Sequence, residues 1–291
     1  MENIKKNPLS LQLNADDFLP ASNEEKQSLV IMRESVNFWK DGLRRLKKNK
    51  IAMVSFVFII AIAIFAYLLP AVWPYSYAEQ VKGSNNLAPF EYSASEQARI
   101  DAGEKVFPHI LGTDRMGRDF AVRIMMGTRV SLSVGLIASV LVLIIGATYG
   151  AVSAFAGGWV DNIMMRITDI LYTIPDILLI LFVAAFAAPT CTNTILSMIF
   201  FSWPRVFRIA RSRLSACFSS NKVAYTMLIG GNMWDVIRKL WHDGYPVIGT
   251  LFMMQASRAV TYETTLAFFG LGDPLLKTWG RLIRSALNYE N

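Results

Sequence analysis

The chain has 291 residues, of which 53% are hydrophobic and 18% charged, below the ~25% charged of soluble domains. Its 29 Lys and Arg outnumber its 22 Asp and Glu, for a net charge of +7. With a mean hydropathy of +0.36, this argues against a soluble enzyme and for an all-α, polytopic membrane protein. The basic balance then points to loops facing anionic lipid rather than to nucleic acid. Two cysteines, Cys191 and Cys217, are too few for a disulfide framework. The first apolar run, from Ile51, is too long for a secretory signal.

Residues 1–37 are polar and lack an apolar period, as a cytoplasmic tail would. Over 38–71 an N-terminal amphipathic helix precedes the first span. Phe38, Trp39, Leu43 and Leu46 fall near helical spacing, flanked by Arg44, Arg45, Lys47, Lys48 and Lys50. This segment either lies on the membrane surface or is the ordinary basic flank of a span. About 20 apolar residues cross a bilayer, and the first span takes 51–71, ended by Pro70 and Pro74. Residues 72–128 form an external, mostly polar segment.

The remainder, 129–291, is the helical core. A charge-free run over 130–160 holds the second span and ends at Gly157-Gly158. The third span is expected at about 164–187, taking in Asp169 and Asp176, with a reversal at 188–193. The fourth is expected at about 194–212 with Arg205 inside it and Arg208 toward its end. A polar loop of helical period covers 213–243. The fifth span is expected at about 245–271 with Arg258 and Glu263 inside it, and no sixth apolar run follows. Five spans put the termini on opposite sides. An N-terminus inside leaves 18 Lys and Arg on internal segments against 10 outside, the orientation that the positive-inside rule favours.

No catalytic set is present. His109 and His242 are the two histidines. This topology places them on opposite faces, so with two cysteines they make no zinc site. No Gly-Lys dipeptide occurs, hence no Walker-type phosphate loop. Any ATP chemistry belongs to another chain.

One segment is dense in turn and cap residues: His109-Ile-Leu-Gly-Thr-Asp-Arg-Met-Gly-Arg-Asp119. Gly112 and Gly117 permit tight turns, and Asp119 is placed to cap a following helix. In the loop over 213–243, Trp234, Ile237, Leu240 and Trp241 form one apolar stripe. Such a stripe fits a groove in a partner, the bilayer surface, or the chain's own span ends. The charges expected at bilayer depth, Asp169, Asp176, Arg258 and Glu263, must pair or face a cavity. They read as structural ion pairs, as a lining for a charged path, or as decay. Arg258 has two possible partners, Asp176 on another span or an acidic group on another subunit.

The segment from His109 through Gly112, Thr113, Asp114, Gly117, Arg118 and Asp119 closely resembles the signature of the C-type permease subunit of dipeptide/oligopeptide ABC importers. Ile110 stands where that family has Pro. The resemblance continues through Ser131–Gly135, Gly157–Asp161, Arg166–Asp169, Ile174-Pro175, Ser202–Arg205 and Glu263–Gly272. It implies a multi-pass protein of the bacterial inner or plasma membrane that forms half of a translocation path. It also implies a homologous B-type permease, an external solute-binding protein, and two cytoplasmic ABC ATPases that bind the ATP, with no cofactor held by this chain. The ATPases of such importers grip a coupling loop, here 213–243 with Ala224 and Gly230. Glu263 matches a family Glu, whereas Arg258 replaces a small residue. Ala224-Tyr225-Thr226 stands where the family has Glu and two Ala, and the sixth span is absent. These departures imply an alternative, a shortened, non-transporting assembly or regulatory remnant.

Overall fold

A computed structural model describes residues 38–218, 221–231 and 233–287. The tail expected over 1–37 lies outside the described residues. The described elements are helical, with no strand among them beyond an isolated bridge between Thr113 and Asp119. The chain divides into two compact units, Met1–Ile59 and Ile60–Asn291.

In the first unit, α1 (Phe38–Lys48) is the expected basic pre-span helix. Asp41 in its first turn accepts from both Arg44 and Arg45 at 2.7 Å. The next helix, α2 (Lys50–Val72), starts where the Asn49 carboxamide accepts from the Ala52 N–H at 3.2 Å. Its faces expose Ile51, Val54, Phe58 and Ile59, apolar surface that water does not tolerate and lipid does.

In the second unit, α2 widens into a π-turn over Ile64–Leu68. Pro70 lacks an N–H and its ring crowds the carbonyl four residues back, so the ladder reorganises ahead of it. A short helix, α3 (Ala94–Asp101), lies in the polar segment expected over 72–128. The central element is α4 (Phe120–Ala156), 37 residues long. Then follow α5 (Gly158–Thr173), α6 (Asp176–Phe186), α7 (Cys191–Phe218), α8 (Asn221–Leu228), α9 (Met233–Phe269) and α10 (Trp279–Leu287).

Small residues let α4 sit deep among its neighbours. Gly146 faces Val206 and the Trp203 carbonyl of α7, where an added Cβ would lie 2.6 Å from Val206 Cβ. One apolar cluster joins Ala138 of α4, Ile180 and Ala184 of α6, Met198 of α7, and Ala259 and Leu266 of α9. α10 folds back against α4 and α9: the Trp279 indole N–H donates to Thr128 at 2.9 Å, and its backbone N–H donates to Ser131 at 3.1 Å.

The structure redraws three of the expected elements. The third expected span is two helices, α5 and α6, bent by 76°. Pro175 supplies no N–H to continue α5, and Ile174 before it is extended at φ −96°, ψ 135°, as a residue preceding proline must be. The expected loop over 213–243 is short in practice. α7 runs on to Phe218, α8 follows, and α9 is already helical from Met233. The stripe from Trp234 to Trp241 therefore lies in the first turns of α9, which continues without a break into the segment expected as the fifth span. By length and composition α2 and α4 are each long and apolar enough to cross a membrane, and the bent pair adds a third only when its two helices count as one span. α7 and α9 are less apolar, carrying Arg205, Arg208 and Arg211 and Gln255, Arg258 and Glu263 respectively.

Candidate functional site

The segment from His109 to Asp119 closes a compact lobe onto the start of α4. Gly112 and Gly117 have φ of +73° and +70°. A Cβ on Gly112 would lie 2.2 Å from the Leu87 carbonyl oxygen, and one on Gly117 2.4 Å from that of Val81. Both positions need glycine for conformation and for space. Between them Thr113 accepts from the Leu87 N–H at 2.9 Å, and Asp114 takes the Arg118 guanidinium at 2.7 Å.

His109 is fully buried between two carboxylates. Its Nδ1 lies 2.9 Å from Asp119 Oδ2 and its Nε2 3.0 Å from Glu96 Oε1. The Tyr75 ring stacks on the imidazole at 4.4 Å. Asp119 does three jobs: it faces His109, it accepts from the Trp73 indole at 3.2 Å, and it caps α4 by accepting from the Val122 N–H at 2.9 Å. Glu96 completes the capping box of α3 with Ser93.

Two ionised carboxylates on one imidazole require both ring nitrogens to donate, so the charged form fits the site. Burial depresses the His109 pKa, but the Asp119 hydrogen bond and the Glu96 charge outweigh it, and the net shift is upward. Burial raises Glu96, and the Ser93 hydrogen bonds together with His109 bring it below its ordinary value. Tyr75 is pushed up to about 12 by burial and by the neighbouring carboxylates. With every polar atom of the trio committed to a neighbour, the arrangement locks the lobe and offers no free nucleophile. Glu96 was invisible as the partner of His109. The Ser93-x-x-Glu96 spacing reveals a helix start and nothing about an imidazole 13 residues on.

A second set of charges runs between α7 and the bent pair. Arg211 donates through two nitrogens to both oxygens of Asp161. Arg208 meets Asp169 at 2.6 Å, and Arg205 lies 3.7 Å from Asp176. The Tyr172 ring underlies both Arg205 and Arg208, at 5.5 and 4.6 Å. Spacing along the chain hides this ladder, because each pair joins residues 29 to 50 positions apart and the Arg residues recur every three positions while the Asp residues recur every seven or eight. Asp176 also accepts from the Tyr262 hydroxyl at 2.6 Å. Arg258 has no ion pair or hydrogen bond among the described residues, so the pairing of Arg258 with Asp176 is not made. Glu263, 4% exposed, sits beside Ser131 and Thr264 where α10 closes.

Gly230 turns the chain at φ +80° between α8 and α9. The side chains of Ala224, Trp234, Ile237, Leu240, Trp241 and His242 lie outside the described residues. No group of His, Cys, Asp and Glu suited to a metal ion occurs among the described residues.

Comparison with known proteins covers nearly the whole chain. Residues 37–89 match the family described as the N-terminal TM domain of oligopeptide transport permease C. Residues 143–287 match the binding-protein-dependent transport system inner membrane component. The chain is 29% identical to the oligopeptide transport system permease protein OppC of Bacillus subtilis (strain 168), over 99% of this chain and 87% of that one. It is 30% identical to the dipeptide transport system permease protein DppC of the same organism, over 91% and 79%. It is 28% identical to the glutathione transport system permease protein GsiD of Pectobacterium atrosepticum, over 88% and 81%.

Proposed function

Since the chain belongs to the binding-protein-dependent inner-membrane permeases, we propose that it forms half of the path of an ATP-driven importer of di- or oligopeptides. The observation that carries this is similarity, over nearly its full length, to permeases named for oligopeptides and dipeptides. The same names favour the transporter over a non-transporting remnant. In this reading the protein is a multi-pass membrane subunit, not itself an enzyme. A homologous B-type permease supplies the other half, an external solute-binding protein delivers the peptide, and two partner ATPases bind the ATP.

The N-terminus is cytoplasmic, as the distribution of Lys and Arg favours. The ATPases grip the segment from α8 through Gly230 to the first turns of α9. Because α9 is continuous from Met233 to Phe269, force applied at its cytoplasmic end reaches Tyr262 and Glu263 along one rigid rod. The external lobe, tied to α4 by Asp119, presents the outer face to the binding protein.

Purification from native membranes in gentle detergent tests the reading. Recovery of a second permease and two ATPases in stoichiometric amount, with peptide uptake restored in proteoliposomes, is the expected result. Recovery of the second permease without ATPases, or of the chain alone, would overturn it.

A further inference from the structure

α9 ends in a glycine cap. Gly270 takes φ +81°. The Leu271 and Gly272 N–H groups both return to the Leu266 carbonyl, and the Gly270 N–H donates to that of Ala267. The chain then turns through Pro274 and comes back as α10. Between the cap and α10 lies a cavity of about 310 Å³, lined by Gly270 and Pro274 from the turn and by Arg281, Arg284 and Ser285 from α10. Arg281 and Arg284 stand three residues apart on α10 and so share a face. Arg284 lies back over the cap: a Cβ on Gly270 would come within 1.9 Å of its Nη1.

The charge of this cavity is open. Arg281 makes one long hydrogen bond, 3.4 Å to the Leu276 carbonyl, and neither guanidinium has an ion pair among the described residues. The cap does not account for Arg284, because the Leu266 and Ala267 carbonyls already hold backbone N–H groups. Asp273, the carboxylate of the connecting turn, accepts from the Cys191 N–H at 3.1 Å and the Leu275 N–H at 2.8 Å. The Ser285 hydroxyl donates to the Leu282 carbonyl at 2.8 Å. The free donors of the cavity are therefore the two guanidiniums, with no anion to receive them.

The neighbouring residues are apolar and uncovered. Phe269, Leu275 and Ile283 adjoin Gly270, Pro274 and Arg284 in the chain and are 59%, 87% and 48% exposed. The span expected over 245–271 ends at this cavity, at the depth where hydrocarbon gives way to headgroups. A pair of cations beside apolar surface at that depth fits an acid group that carries apolar tails. Two planar guanidiniums match the two non-bridging oxygens of a phosphodiester. A headgroup with its own ammonium would add a third positive charge, so one without is favoured.

We propose that this cavity binds the phosphodiester of an anionic glycerophospholipid of the phosphatidylglycerol type, with Arg281 and Arg284 as its clasp. The site does not depend on which solute is carried. It makes a lipid the bridge between the end of α9 and the face of α10 that the protein leaves open.

The test uses the complete complex, purified in detergent and stripped of lipid, and titrated with pyrene-labelled phosphatidylglycerol or phosphatidylethanolamine. The wild-type complex is expected to hold phosphatidylglycerol about tenfold more tightly. Arg281→Gln combined with Arg284→Gln is expected to abolish that preference, and the corresponding pair of Lys variants to keep part of it. Equal preference in the wild type and the Gln double variant would overturn the proposal. So would displacement of the lipid by an equal concentration of inorganic phosphate, which would assign the cavity to the free ion. Loss of the second permease from the Gln double variant would overturn it in favour of an acidic side chain of that subunit. Phosphatidylglycerol binding that appears only after Glu290→Gln would overturn it in favour of the chain's own carboxylate, which lies outside the described residues.

Discussion

Gly135 of α4 and Val260 of α9 meet so closely that a Cβ on Gly135 would lie 2.4 Å from Val260 Cγ2 and 3.0 Å from the Val260 backbone nitrogen. The backbone atom cannot rotate away, so a larger residue must separate the two helices. Gly135→Val is expected to destabilise the bundle by about 1–3 kcal/mol, the usual range for overpacking. Thermal unfolding in detergent reads this directly. Gly249→Ala on the same helix α9 meets nothing within 4 Å and serves as the control. Equal melting of the two variants would mean that α4 and α9 do not pack as described.

The His109 lock predicts a stability window in pH. The folded-state pKa of His109 is raised above 6.5, so its stabilisation is full below that value and is lost as pH climbs through the raised one. The folded-state pKa of Glu96 is lowered from 4.5, so its stabilisation is full above that value and is lost as pH falls through the lowered one. The lobe is thus most stable from about pH 4.5 to 6.5. Protease resistance of residues 73–119 across pH 4 to 9 measures it. His109→Gln should remove the alkaline decline; a profile identical to wild type would sink the assignment.

The two-point contact between Arg211 and Asp161 ties α7 to α5. Asp161→Ala leaves a guanidinium without its acceptor, and a lost charge-assisted bond of this kind costs about 1.5–3 kcal/mol. Exchanging the two residues, Asp161→Arg with Arg211→Asp, should recover part of the loss. A double-mutant cycle on thermal midpoints tests this, and strictly additive losses would show that the pair is uncoupled.

Trp234→Asp and Trp241→Asp place charge on the N-terminal end of α9. If the stripe seats in the ATPases, either change should strip them from the purified complex while the second permease remains. Full retention of the ATPases by the double variant would move the contact elsewhere, with α8 the next candidate.

How far the sequence could be read depended on whether the determining interaction was local. Asp119 was recognisable as a helix cap because a cap is defined by its immediate neighbours, and its carboxylate does meet the Val122 N–H. Gly112 and Gly117 were recognisable for the same reason. The break at Ile174-Pro175 was passed over, since hydropathy averaged over a window is blind to one missing N–H. The three Asp–Arg pairs and the hold of Glu96 on His109 depend on which helix faces lie opposite each other. Periodicity within one segment carries no information about that. Arg258 was legible as an anomaly, but its lack of a partner emerged only once Asp176 was seen to be taken.

The seating of α10 has a bearing on biogenesis. Its Trp279 bonds to Thr128 and Ser131, residues 151 and 148 positions earlier, and Gly280 lies against the Thr264 carbonyl oxygen, where a Cβ would come within 2.1 Å. During synthesis α4 and α9 enter the bilayer before α10 exists. Until it arrives, the notch it fills leaves the Thr128 and Ser131 hydroxyls without the partners that Trp279 supplies and the Glu263 carboxyl uncovered. The last described helix to leave the ribosome is thus the one that completes this buried polar site, which makes its docking a natural checkpoint for membrane quality control.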